Sequence, residues 1–403
     1  MNRSVHGVSS PVSASAGRGP AALLSLGFRP FFLAAGAFAV VAMGGWTAAY
    51  ALGLTLQNYY SPVVWHGHEM LFGYTAAVIA GFLLTAVRNW TSLPTANGKT
   101  LGLLVVLWLL GRVLPLLPWP VPPVMVAILD VAFLPILAAS LLVPLVRSGQ
   151  RRNLVFVPVL LMMTLANMAV HAEQLGFVDG TALPGLTATI YLAMLLMALI
   201  GGRVIPFFTA RALPGTQPRQ QPWLDGLALA SLALLAVCSV GGASRGVVGL
   251  IAACSAAAHL ARLLGWYSHR IWSQPLLWVL HVGYAWLATG LGLTAFAGAG
   301  LVPANAPTHA FTAGAIGVMT LGMMARVSLG HTGRPLVPAP LTSAAFAVIN
   351  LAAVFRVLLP LVVPASQLVW IITGGVLWCL AYLGFMASFA PILYRPRADT
   401  ADL

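Results

Sequence analysis

Residues 65–91 read WHGHEMLFGYTAAVIAGFLLTAVRNWT, and the fold follows from them. The run LFGYTAAVIAGFLLTAV over 71–87 is close to the 20 or so apolar residues that cross a bilayer. At its opening stand two imidazoles and a carboxylate, His66, His68 and Glu69. Ionisable groups in hydrocarbon cost a few kcal/mol or more each, so they usually mark a site. Imidazole stays neutral cheaply near pH 7 and ligates iron, copper and zinc. The combination points to a metal or cofactor site inside a membrane protein.

The rest of the chain agrees. Of 403 residues, 60% are hydrophobic and 7% charged, and mean hydropathy is +0.93, whereas soluble domains carry about 25% charged residues. Twelve apolar windows emerge, at 30–54, 66–88, 100–118, 122–146, 154–175, 185–209, 223–242, 247–266, 274–299, 308–330, 341–361 and 366–393. Short loops leave no room for a sizeable soluble domain. The expected fold is all-α, a polytopic transmembrane bundle of about twelve spans.

Basic residues fall in alternate loops, with Arg245 the exception: Arg88 with Lys99, Arg147 with Arg151 and Arg152, Arg211 with Arg219, Arg262 with Arg270, Arg326 with Arg334, and Arg395 with Arg397. The positive-inside rule then makes both termini cytoplasmic and the number of spans even. The net charge of +13 is accordingly topological, and no basic run interleaved with aromatics suggests nucleic acid. Residues 1–22 read as a flexible cytoplasmic tail, 23–211 as a first six-helix half and 212–222 (ALPGTQPRQQP) as a cytoplasmic linker. Residues 223–394 then form a second half and 395–403 a cytoplasmic tail. Cys238, Cys254 and Cys379 all lie in spans, and no CxxC or CxxCH occurs, which argues against a thiolate zinc site and covalent haem.

Topology assigns each histidine a height. His66 and His68 open the second span, His171 closes the fifth beside Glu173, and His309 opens the tenth, all at the outer face. These four form the expected metal set. His281, His331, Arg203 and Arg326 lie in the cytoplasmic half and form the expected cofactor-binding set, with arginines suited to haem propionates. His309 and His331 stand 22 residues apart, about 33 Å along a straight helix, so they serve different centres. His66 and His68 diverge by about 200° on a helix, so they share an ion only if the first turn is irregular. The plain alternative for each imidazole is a polar bridge between helices. Arg112 and Asp130 come to similar depth and suggest a structural ion pair, Arg356 has no evident partner, and Met70 is the nearest thioether. The spacing His-x4-Gly-x7-Gly occurs at His68, Gly73 and Gly81 and again at His309, Gly314 and Gly322. A second and a tenth span do not correspond in a six-plus-six duplication, which favours coincidence.

Five blocks carry a resemblance. LGFRPFF at 26–32, the stretch at 65–91, ALIGGRVIPFFTAR at 198–211, PLLWVLHVGYAW at 275–286 and THAFTAGAIGVMTLGMMARVSLGHTGRPL at 308–336 are similar to blocks of the NnrS family. The resemblance implies a multi-pass protein of the bacterial inner membrane that contains non-covalent haem b and copper and acts in the nitric oxide response. The matching histidines are His66, His68, His171, His281, His309 and His331. The implied function is binding or detoxifying nitric oxide, or relieving iron-nitrosyl stress. Turnover, the electron donor and the division of histidines between haem and copper stay open at this point. Other readings are a twelve-span secondary transporter and a non-catalytic sensor that handles haem or metal.

Overall fold

The computed structural model describes residues 20–54, 59–117 and 121–398. Most of the expected N-terminal tail (1–19) and the end of the C-terminal one (399–403) lie outside the described residues. The protein is all-helical, with twelve helices long and apolar enough to span a membrane. These are α1 (Phe28–Leu52), α2 (Pro62–Thr91), α3 (Gly98–Leu116), α4 (Pro123–Arg147), α5 (Arg151–Gln174) and α6 (Ala182–Ala212). They continue with α7 (Pro222–Val240), α8 (Arg245–Trp266), α9 (Pro275–Gly298), α10 (Ala306–His331), α11 (Pro340–Val362) and α12 (Pro364–Tyr394). An even number of crossings returns both ends to one face.

Local chemistry sets the boundaries. Pro62, Pro123, Pro222, Pro275 and Pro340 each open a helix, where the missing N–H costs nothing because no partner exists there. Spans 1 and 12 pack along each other and close the bundle. At its centre α2, α6 and α10 all touch one another. Each stands four spans from the next. Helices α2 and α10 are the most buried, with 78% of their apolar window inside the protein against 17% for α7. A buried span can carry polar side chains because neighbouring helices, and not lipid, surround them.

Both central helices are irregular at the same place. Residues Glu69–Thr75 of α2 and Ala310–Ile316 of α10 are π-helical, and each segment starts on the residue after a histidine, His68 and His309. The repeated spacing therefore corresponds to a repeated structure, and coincidence is the wrong reading of it. Both spans lie at the centre of the bundle. The first glycine of each motif permits close packing. A Cβ on Gly314 would lie 2.7 Å from the Trp286 ring, and one on Gly73 would strike Phe38. In α2 a neighbouring span caps the loosened turn, as Trp108 Nε1 donates to Gly73 O at 2.9 Å. Single π turns cluster at functional sites, and here both abut the histidines.

Candidate metal centre and adjoining cavity

His66 and His68 sit two residues apart on the first turns of α2 and point to different sites. His68, fully buried, faces α4 and α5. Its Nε2 lies 3.1 Å from Asp130 Oδ2 and 3.0 Å from Asn167 Oδ1. His171 brings its own Nε2 to 3.0 Å from the same Asp130 oxygen, and Asn167 Nδ2 donates to it at 2.7 Å. One ligand atom from each of His68, Asp130 and His171 lies within 4.8 Å of the other two. Two imidazole nitrogens and a carboxylate oxygen so disposed are a ligand set for a transition metal.

The surrounding groups orient these three. Glu69 Oε1 accepts from His68 Nδ1 at 3.1 Å, which leaves the Nε2 lone pair of a neutral ring facing the centre. Carboxylate support of this kind is what metal-bound histidines usually have. Arg112 donates to Glu69 Oε2 at 2.7 Å and also to Asp130 Oδ1. The expected Arg112–Asp130 pair is present, but it also anchors the histidine cluster. Two buried carboxylates share one guanidinium, so one negative charge is left for a cation or proton to balance. Tyr59 Oη lies 3.1 Å from His171 Nδ1, and Tyr60 Oη 3.1 Å from His68 Nε2. Burial, reinforced by the Asp130 charge, pushes the Tyr59 phenol up to about 12. The same two causes raise the Tyr60 phenol well above its usual value. Both phenols stay protonated at neutral pH.

His66 faces the other way, into a cavity of about 480 Å³ that also receives His309 from α10 and Arg356 from α11. Its ring stacks on Trp46, with centroids 4.5 Å apart and planes 12° from parallel. The Nδ1 atom is buried with no hydrogen-bond partner among the described residues. His309 has a defined tautomer: Nδ1–H donates to Asn305 O at 3.0 Å, and Nε2 accepts from Arg356 at 2.6 Å. A carbonyl only accepts and a guanidinium only donates, so the ring is neutral and its one lone pair, on Nε2, is held by Arg356 at the cavity wall. Trp46, Met70, Tyr74, Leu186 and Trp378 form much of the wall, and the volume lies within the range of small-molecule and cofactor sites, roughly 300–1,000 Å³. The four outer histidines thus divide into two pairs, one from each end of His66-Gly67-His68.

A family model described as NnrS protein matches residues 22–397. The chain belongs to the NnrS family. This NnrS chain is therefore a multi-pass membrane protein of the nitric oxide response, and its His68–Asp130–His171 cluster has the make-up of a metal site. No curated protein matches it.

In this NnrS protein the four expected inner residues do not meet. Among the described residues no hydrogen bond, ion pair or ring contact joins any two of them. Arg203 donates to Asn153 Oδ1 at 2.8 Å, and Arg326 lies over the Phe208 ring at 3.7 Å. His331 faces Asn89 at 3.3 Å. His281, buried, has its Nδ1 donating to Leu277 O at 2.9 Å. His259 is a satisfied structural imidazole, between Tyr284 Oη at 2.7 Å and Ala228 O at 3.1 Å. Glu173 accepts from the backbone N–H of Ala182 at 2.7 Å and caps α6. Sequence reasoning missed Asn167, Tyr59, Tyr60 and the site roles of Asp130 and Arg356. A signal existed for Asn167, which stands four residues before His171 and so shares its helical face. None existed for Arg356, because its partner is 47 residues away.

Proposed function

We propose that this is a haem–copper protein of the bacterial inner membrane that binds or detoxifies nitric oxide or relieves iron-nitrosyl stress. Non-covalent haem b would occupy the cavity between α2 and α10, and copper the His68–His171–Asp130 cluster. One observation carries the reading: His66 and His68 project into two separate buried sites, and a second histidine from a distant helix completes each. The residues fit both groups. The cavity offers His66 with an orphaned buried nitrogen and His309, whose Nε2 lone pair Arg356 would release on turning to an anionic haem carboxylate. The smaller cluster offers two imidazoles, a carboxylate and an unbalanced negative charge, and copper binds such a site more tightly than the other divalent first-row ions.

A ferrous haem, when bound, supplies an iron centre with affinity for nitric oxide. The chain's own residues do the rest. Trp46 holds the His66 ring flat, Arg356 sets positive charge beside His309, and apolar side chains form much of the wall. Tyr59 Oη, accepting from His171 Nδ1–H, turns the Nε2 lone pair of that ring toward the centre, as Glu69 does for His68.

The deciding experiment is the absorption spectrum of the purified protein, with and without nitric oxide, beside its iron and copper content. A Soret band that shifts on adding nitric oxide, with copper present, is the expected result. A colourless preparation with neither metal overturns the reading, and solute movement in vesicles would then favour transport. His171→Ala separates the two sites. It is expected to weaken copper binding by at least about tenfold, the lower figure for losing even an outer-shell partner, while leaving the Soret band in place. Loss of the Soret band with copper retained would show that the assignments are reversed.

A further inference from the structure

Adjoining the His66–His309 cavity lies a second, smaller one, bordered by α1, α2, α6 and α10. Phe32, Val78, Leu83, Leu196 and Met319 are among its walls, and its volume is about 70 Å³. About 10–15 Å³ suffices for a single water molecule, so a diatomic molecule fits with room to spare. Size alone does not decide the occupant; polarity does. The lining has two hydroxyls, Thr75 and Thr320. Thr75 Oγ1 donates to Met70 O at 2.7 Å and Thr320 Oγ1 to Ile316 O at 2.5 Å, with Tyr74 Oη against Thr320 as well. An entering water needs two to four polar partners; both hydroxyl protons are committed, and only their acceptor lone pairs remain. The chamber is a poor site for water and favours a small apolar solute, as apolar cavities that take up xenon do.

Its position gives the chamber a use. Thr75 lines both spaces, and Tyr74, on the wall of the larger cavity, bonds to Thr320 on the wall of the smaller. This seam lies between the chamber and the larger cavity that the two histidines line. Phe32, Val78, Leu83, Leu196 and Met319 are buried, whereas Ile79, Phe82, Met197 and Ile200 are only partly so, so the chamber reaches from the helical core toward its edge. We propose that the chamber is a docking site for a small apolar diatomic gas, which on the function proposed above is nitric oxide. It concentrates the gas, which dissolves well in the apolar interior, beside the His66–His309 cavity.

Xenon tests the site directly. Crystals of the holoprotein under xenon pressure are expected to show a density peak bounded by Val78, Leu196 and Met319. Xenon peaks elsewhere with none in the chamber, or ordered water or acyl-chain density filling it, would overturn the proposal. Ala193→Phe, on the same wall, is expected to remove the peak and slow association of nitric oxide with the holoprotein several-fold. An unchanged association rate in a variant whose chamber is demonstrably filled also overturns it. If that substitution prevents folding, Val78→Leu serves as the milder block. Xenon occupancy does not depend on cofactor content. A protein purified without haem would therefore sink the proposed function and leave the gas site to stand or fall on the density.

Discussion

His309→Ala is expected to yield a folded protein with roughly a tenth or less of the wild-type Soret absorbance per mole, since losing even an outer-shell partner costs about 10–100-fold in metal affinity. The fold should survive because His309 is only partly buried at the start of α10 and bonds just the Asn305 carbonyl and Arg356. The bundle rests on the apolar core of α2, α6, α9 and α10 and on the α1–α12 seam. His66→Ala should act in the same direction, and copper content should hold in both variants. Absorption spectra and metal analysis of equal amounts of monodisperse protein check this. Both variants retaining a full Soret band would remove the haem from this cavity.

Arg112→Leu should act on the fold and not on the spectrum of what folds. The guanidinium is 4% exposed and bridges Glu69 to Asp130. Its loss leaves two buried carboxylates facing each other across the site without a counter-charge. Breaking a buried pair by removing one partner costs about 3–5 kcal/mol, a large part of the 5–15 kcal/mol that holds a typical domain together. The yield of monodisperse protein should fall sharply and its thermal transition drop. Added copper should restore part of the loss, because a cation in the His68–Asp130–His171 cluster replaces the missing positive charge and binding to the folded state stabilises it. Wild-type yield and thermal stability in metal-free buffer would show that the pair carries no such load.

The structure revises the reading of Arg112 and Asp130 in an instructive way. Equal depth on neighbouring spans was enough to pair them. It could not reveal that Asp130 Oδ2 faces two imidazoles while Oδ1 meets the arginine, since the two oxygens of a carboxylate are alike in sequence. The four outer histidines posed a similar difficulty. Their common height is written in the spacing of apolar runs, but height is one coordinate of three, and the pairs His66–His309 and His68–His171 differ in the other two. The inner set illustrates the converse. His281, His331, Arg203 and Arg326 share a half of the bundle, yet each side chain finds its own partners.

By itself, the sequence determined twelve apolar helices, a bundle with both ends on one face, and the residues of α2 at which polar chemistry begins. These are properties of single segments: hydropathy over about 20 residues, proline at helix starts, and the angle between positions 66 and 68. Tertiary structure alone decided which histidines meet, what Arg356 is for, and that the motifs at His68 and His309 are the same π-helical device. Those depend on how α2, α6 and α10 are rotated and pressed together. That rotation comes from side-chain packing summed over many helices, which no one stretch of chain contains.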